Sequence, residues 1–411
     1  MIVAGNLLVP SGLHECSLRP GTIRVVDGLI QQIQWDEISE HADFGGEGFL
    51  ITPGFIDAHV HLPQFDLIGA HGMPLLRWLM EATFPAEAKW ADVDYAKEMT
   101  GRVAKQLIGH GTTGIAAYAT VHHQSAIAAI EILRSFGMHG LVGQVLMDRE
   151  APSEICRPAT QLIDEAAVLQ ERFPTGNDSG ARPLSAAVTP RFAIACTEEL
   201  LIGAGRIAEQ YQCFVQSHLA ETQAECDLVG QLFDGRSYVS VYQDAGLLNE
   251  RSIYGHGIHL SASDLTEMSE SRAVIAHCPT ANSFLRSGIM NRHERCEAGV
   301  RVAIGSDIGA GYHRSMVRVA AALIEAAAMI GDEFPTAAQA WHCITAGNAN
   351  VLGLSEVGSI QVGHSADLVV ARPNIAWLAG GADPLSMAMW AWDDRWIEEV
   401  VIRGRPSLTL S

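Results

Sequence analysis

Between residues 53 and about 354, short apolar runs alternate with longer stretches whose apolar positions recur every three to four residues. The runs read as buried strands at 55–61, 113–119, 141–147, 184–190, 213–218, 252–256, 273–277 and 301–306. The stretches that follow them read as amphipathic helices near 93–109, 124–136, 158–172, 198–211, 221–233, 263–270, 289–298 and 315–331. Thr197 before Glu198 and Glu199 gives one clear helix start, a hydroxyl cap followed by acids at the positive end of the dipole. Eight strands, each followed by a helix, is the count of a (β/α)8 barrel, an α/β fold of the TIM type.

Both ends of the chain have a different texture. Ile2-Val3-Ala4, Leu7-Leu8-Val9, Thr22 to Val26 and Ile30 to Ile33 are short β-rich runs, and Asp27-Gly28 is a two-residue hairpin signal. From about Gly358 the chain turns β again, with Ser359-Ile-Gln-Val-Gly, Asp367-Leu-Val-Val-Ala and Glu399-Val-Val-Ile. The simplest arrangement is a small β-sandwich domain built from both termini (1–52 and 358–411), with a barrel of residues 53–357 inserted between them. No repeat or low-complexity linker interrupts this plan.

Composition narrows the function classes. In 411 residues, 27 basic against 47 acidic side chains leave a formal net charge of −20. Such a surface argues against a nucleic-acid backbone or an anionic membrane as partner. The first residues carry no signal pattern, and the most apolar helix, 317–330, is too short to span a bilayer. Eight scattered cysteines without a CxxC pair read as reduced thiols in a cytoplasmic protein. Seventeen histidines are a high share and fit a metal enzyme.

Barrel enzymes carry their chemistry at the C-terminal ends of the strands. The first strand ends in His59 and His61, two apart and therefore on one face, before Pro63 stops the ladder. The fifth ends in His218, with Glu221 three residues beyond; the sixth ends in His256; the eighth ends in Asp307. His256 and Asp307 have small neighbours, which permit close approach to the backbone. Three histidines and one aspartate, with a further histidine and a glutamate, suit Zn2+ or Fe2+. Bland readings compete residue by residue: His218 as a core histidine satisfied by a carbonyl, Asp307 as a helix cap. Five matches in order along the barrel favour a site. His277, ending the seventh strand, reads equally as a supporting or a packing residue, and the His122-His123 pair reads as solvated or supporting. Gly203-Ala-Gly205-Arg-Ile-Ala208 mimics a dinucleotide fingerprint but lies inside a helix pattern, and no G-x-S-x-G, P-loop or H-x-E…P-C-x-x-C signature is present.

The run Pro53 to Gln64, His218 with Glu221, His256 and Asp307 resemble the amidohydrolase superfamily over essentially the whole chain. Met73 to Met80, Thr83-Phe84-Pro85-Ala86-Glu87, Gln64, Thr189-Pro190-Arg191-Phe192 and the run His277 to Gly288 are similar to the guanine deaminase family within it. No lysine stands at the fourth or fifth strand end, where two-metal members have one, which implies a mononuclear site. The resemblance implies one Zn2+ (or Fe2+) held by His59, His61, His218 and Asp307, lowering the pKa of a bound water to about 7. It further implies Asp307 as the acceptor of that water's proton, His256 as its hydrogen-bond partner and Glu221 as proton shuttle. The substrate would be a small purine base, guanine, converted to xanthine and ammonia. Arg191 would face O6 and N7, Gln64 the N3/N9 edge, and Phe192 the ring, with His218, His256 and Asp307 also touching substrate. A surface salt bridge for Arg191 and a loop-stabilising amide for Gln64 are the competing readings. A homodimer is the family expectation. The alternatives are another amino-heterocycle hydrolase of the superfamily (8-oxoguanine, cytosine, adenosine-type or aminotriazine) and a non-catalytic scaffold on the same barrel.

Overall fold

The computed structural model describes residues 1–12, 14–176, 184–375 and 383–407. Eight strands, Phe55–His61, Thr112–Tyr118, His139–Leu146, Ser185–Pro190, Phe214–Leu219, Ser252–His256, Val274–His277 and Arg301–Ile304, pair in sequence order. Every neighbouring pair is parallel. Beyond the ladders the ring is drawn shut by two backbone bonds: the Asp307 N–H donates to the His59 carbonyl at 2.8 Å and the His61 N–H to the Ile308 carbonyl at 3.2 Å. The buried Asn348 side chain bridges the same seam lower down, donating to the carbonyls of Ile56 (2.6 Å) and Ile304 (2.7 Å). The helices expected from periodicity form as Val93–Gly109, His123–Ser135, Ala159–Arg172, Glu198–Tyr211, Gln223–Leu232, Ala262–Glu270, Arg292–Glu297 and Met316–Ile330. Thr197 caps its helix by accepting from the Leu200 N–H.

The first strand does not alternate simply. Ile56 and Ala58 join an apolar cluster with residues from the other seven strands, such as Ala116, Leu141 and Ala187. Val60 instead packs with Val103 and Leu107 of the following helix. The ladder to the second strand slips between Asp57 and Val60. That irregularity changes the phase, so His59 and His61 take the inner face after Ala58 has already done so.

The chain ends build a separate seven-stranded sheet of Ile2–Pro10, Cys16–Val26, Leu29–Trp35, Phe44–Pro53, Leu368–Ala371, Ile397–Ile402 and Arg405–Pro406. The Asp27-Gly28 turn forms as read, with φ of 51° and 81° and Val26 opposite Leu29. Ser359 to Gly363 departs from expectation and is not a strand. Gly358 and Gly363 adopt φ of 76° and 91°; the segment still packs Ile360 into the apolar cluster of the sheet, and the Gly363 N–H donates to the Ile30 carbonyl at 2.8 Å. Residues 408–411, included in the expected terminal domain, lie outside the described residues.

Candidate active site and metal centre

At the C-terminal ends of the strands the expected residues converge. The Asp307 carboxylate Oδ1 lies 3.4 Å from His59 Nε2 and 3.5 Å from His61 Nε2. His61 Nε2 is 3.0 Å from His218 Nε2. Donor atoms of His59, His218, His256 and Asp307 all lie within 4.8 Å of one another. All five side chains are buried or nearly so. Burial, then the charge of neighbouring imidazoles and Arg191, pushes His59 and His218 well below the ordinary histidine range; burial and His218 do the same to His61. These rings are therefore neutral, the form that binds metals.

The donor set passes a specific test. His59 Nε2 is buried and has no hydrogen-bond partner among the described residues. His218 Nδ1 donates to the Arg191 carbonyl at 2.6 Å, which leaves its Nε2 lone pair aimed at the cluster. The carbonyl expected for a merely packed histidine is thus present, and it serves to orient the ring. Convergent neutral imidazoles beside a carboxylate fit a divalent cation of the zinc or iron type.

The small neighbours of His256 and Asp307 turn out to serve His59. A Cβ on Gly255 would stand 2.6 Å from the His59 ring, and one on Gly305 would stand 2.5 Å from His59 Cβ. His256 and Asp307 themselves adopt left-handed backbone, with φ of 74° and 52°, as does Ala220 (46°) just before Glu221. Left-handed non-glycine residues at three strand ends are backbone strain gathered around one cavity. Asp307 caps no helix; the following helix starts after Ser315.

Glu221 sits beside this cluster. Its Oε2 is 3.3 Å from His256 Nε2, and Ser287 donates to its Oε1 at 2.7 Å. Burial, with the Asp307 charge adding to it, pushes its carboxyl up to about 8. At neutral pH it is a buried acid with a proton to give. His256 Nε2 also lies 3.8 Å from Asp307 Oδ2, so the imidazole stands between two carboxyls. Its Nδ1 donates to Asn282 Oδ1 at 2.9 Å. Asp307 is pushed up to about 6 by burial, against the opposing charges of His256 and Arg191.

Opposite the donors, Gln64, Arg191 and Phe192 line the same pocket as His61, His218, His256 and Asp307. Arg191 is no surface residue: it is 2 % exposed and paired with Glu87, itself 1 % exposed. Gln64 donates to Glu87 and accepts from the Gly309 N–H, so it does stabilise its loop while facing the cavity. Leu75, Trp78 and Leu79 complete the apolar wall, and Trp78 is pinned by its Nε1–H to the Ala70 carbonyl at 2.8 Å.

Sequence reasoning assigned no role to Glu87, Asn282, Ser287 or Asp57. Asp57 accepts from the N–H groups of His59 (3.1 Å) and Ser306 (2.9 Å), tying the segments that carry His59 and Asp307 together. A lone acid inside an apolar strand was its only signal. His277 is buried with neither ring nitrogen hydrogen-bonded among the described residues, and burial pushes it down to about 3. It packs as a neutral ring. His123 bonds Gln144 Oε1 at 2.7 Å, in a polar group with Glu165 rather than with the donor cluster.

A parallel eight-stranded barrel with a histidine–aspartate cluster at its strand ends defines a metal-dependent hydrolase of the barrel class. The amidohydrolase family matches residues 50–406, and the chain belongs to that family, whose members depend on metal. The chain is 35% identical to guanine deaminase of Dictyostelium discoideum over 336 residues, covering 80% of this chain and 74% of that one. Among solved structures it superposes on Escherichia coli guanine deaminase with a TM-score of 0.91 at 31% identity, covering 99% of both chains. It is also similar to a guanine deaminase from C. acetobutylicum with guanine bound in the active site, with a TM-score of 0.89, 29% identity, and coverage of 98% and 99%.

Proposed function

We propose that this chain hydrolyses guanine to xanthine and ammonia, using one divalent cation, zinc in preference to iron, held by His59, His61, His218 and Asp307. The observation that carries the reading is one pocket with convergent imidazoles and the buried Glu221 carboxyl on one wall and a fixed guanidinium on the other. The guanine deaminases it resembles, one of them solved with guanine in its active site, support the substrate. When bound, the cation supplies Lewis acidity that lowers the pKa of a water to about 7.

The chain's own residues do the rest. Arg191 holds the O6 and N7 edge, Gln64 the N3/N9 edge, and Phe192 packs against the ring. Glu221 gives its proton to N3, which makes C2 electrophilic. Water adds its oxygen to C2 and its proton passes to Asp307. His256 Nε2, between the two carboxyls, holds the added oxygen in hydrogen-bond reach. The Glu221 carboxylate then takes the proton of the new hydroxyl and delivers it to the C2 amine, which leaves as ammonia while C2=O forms. The proton on Asp307 returns to Glu221 through His256. Water and guanine in, xanthine and ammonia out, every proton is accounted for.

The reading extends to a cytoplasmic homodimer. Eight free cysteines support the compartment, and the exposed Met329 near the end of the helix Met316–Ile330 and Phe334 just beyond it support an assembly surface. Among the described residues no helix is long and apolar enough to cross a membrane. Ammonia release from guanine, compared with 8-oxoguanine, cytosine, adenosine and an aminotriazine, tests the function. A better substrate than guanine in that panel would overturn it; metal analysis separates zinc from iron, and light scattering measures the assembly.

A further inference from the structure

We propose that Glu87 is the positioning residue that aims Arg191 at the carbonyl edge of the substrate, and so sets the preference for a 6-oxo purine. The inference rests on the guanine reading above. Arg191 Nη1 lies 2.7 Å from both carboxylate oxygens of Glu87. Gln64 Nε2 donates to Glu87 Oε1 at 3.2 Å, while Gln64 Oε1 accepts from the Gly309 N–H at 3.3 Å. The Phe84 ring lies 5.3 Å beneath the guanidinium.

This geometry has a definite consequence. A guanidinium is planar and offers five donors in a fixed fork. Glu87 occupies one nitrogen and holds the plane. The Nη2 and Nε donors of Arg191 have no protein partner among the described residues, on a side chain that lines the cavity. They present a flat pair of N–H groups, which suits the two acceptors O6 and N7 of a 6-oxo purine. A 6-amino purine would set donors against donors there. The same carboxylate fixes which way the Gln64 amide points, because only its nitrogen can donate to Glu87. Glu87 touches no substrate; it sets the preference through Arg191, since the Gly309 N–H also holds the Gln64 amide.

The test uses metal-loaded protein and two substrates that share the C2 amine: guanine, and 2-aminopurine, which lacks O6. Wild type, Glu87→Gln, Arg191→Ala and the double variant are compared for kcat and KM, with metal content and melting temperature measured on each. Glu87→Gln should lose guanine kcat/KM by about ten- to hundredfold, mostly in KM, while 2-aminopurine changes little. The double variant should be no worse than Arg191→Ala alone, because the two act as one unit. Equal losses on both substrates, or an unchanged guanine preference, would overturn the inference. Where Glu87→Gln fails to fold, Glu87→Asp, which keeps the charge but draws it back, carries the same comparison. Wild type inert toward guanine overturns the underlying reading and this inference with it; an active wild type with an unaltered ratio in the variants overturns this inference alone.

Discussion

The two walls of the cavity are built in different ways. The donor wall comes from the ends of barrel strands: His59, His61, His218 and His256 lie in their last residues, and Asp307 stands three residues past the eighth. The recognition wall comes from what lies between strands. Gln64 sits in the turn after the first strand, Glu87 in the short helix Phe84–Ala88, and Arg191 just past the fourth strand. Strand ends give fixed positions because the ladder sets them, and a metal needs several donors placed to within tenths of an ångström. Gln64 and Glu87 have no ladder beneath them, and the recognition wall is stiffened by the buried Arg191–Glu87 ion pair instead. The cost of burying Arg191 and Glu87 is met only while both are present.

The largest expected effect falls on the donor wall. Asp307→Ala or His61→Ala should abolish metal retention and reduce guanine turnover by about a thousandfold or more, since the cation contributes several kcal/mol to the transition state. Metal analysis beside steady-state kinetics checks it. A fully active, metal-free Asp307→Ala protein would break the division between the walls at its first step.

Glu221→Gln comes next. The amide keeps the shape and the Ser287 contact but has no proton to give, so turnover should fall by about 10^2- to 10^4-fold with metal content unchanged. Activity near wild type would remove Glu221 from the proton path.

Arg191→Ala should cost guanine kcat/KM about ten- to hundredfold, again with metal retained. It should also lower the melting temperature, because it strands the Glu87 carboxylate in a buried site. If metal and activity fell together, the two walls would be one structural unit and the comparison would fail.

The donor wall was largely legible because its signals are local. A histidine pair two apart, a histidine ending an apolar run, and an aspartate at the close of another each announce a strand end without knowledge of distant partners. Even there, the phase slip at Asp57–Val60 was invisible: alternation put His59 and His61 on one face for a reason the ladder only partly shares. The recognition wall could not be read in this way. Glu87 and Arg191 are 104 residues apart, and nothing in the periodicity of either segment points to the other. Glu87 was visible only as part of a family-like run, without a role. Ser359 to Gly363 failed for a different reason. Its composition is strand-like, but the glycines at 358 and 363 adopt left-handed backbone, which no regular strand tolerates.

A buried polar contact outside both walls makes the last test, and the smallest in activity. His139 opens the third barrel strand, and Asp367 immediately precedes a strand of the terminal sheet; His139 Nε2 lies 3.0 Å from Asp367 Oδ2. Arg403 Nη2 lies 3.1 Å from His139 Nδ1, which makes Nδ1 the acceptor and leaves the Nε2–H to face the carboxylate. Burial works against the charged Asp367, but His139, Ser365 and the Arg403 backbone N–H outweigh it and hold its carboxyl below the ordinary range. A carboxyl lowered on folding stabilises the folded state above its unfolded pKa of about 3.9, and that contribution is lost as pH falls through the folded value. Stability should therefore decline in acid, and Asp367→Asn should flatten that decline while costing about 1–3 kcal/mol at neutral pH. Guanine kcat/KM and metal content should stay at wild-type values. Denaturant melts from pH 7 down to 3, with kinetics on the same samples, read both. A shift in guanine preference on changing Asp367 would mean that the recognition wall depends on the junction with the terminal sheet, and not on the Glu87–Arg191 pair alone.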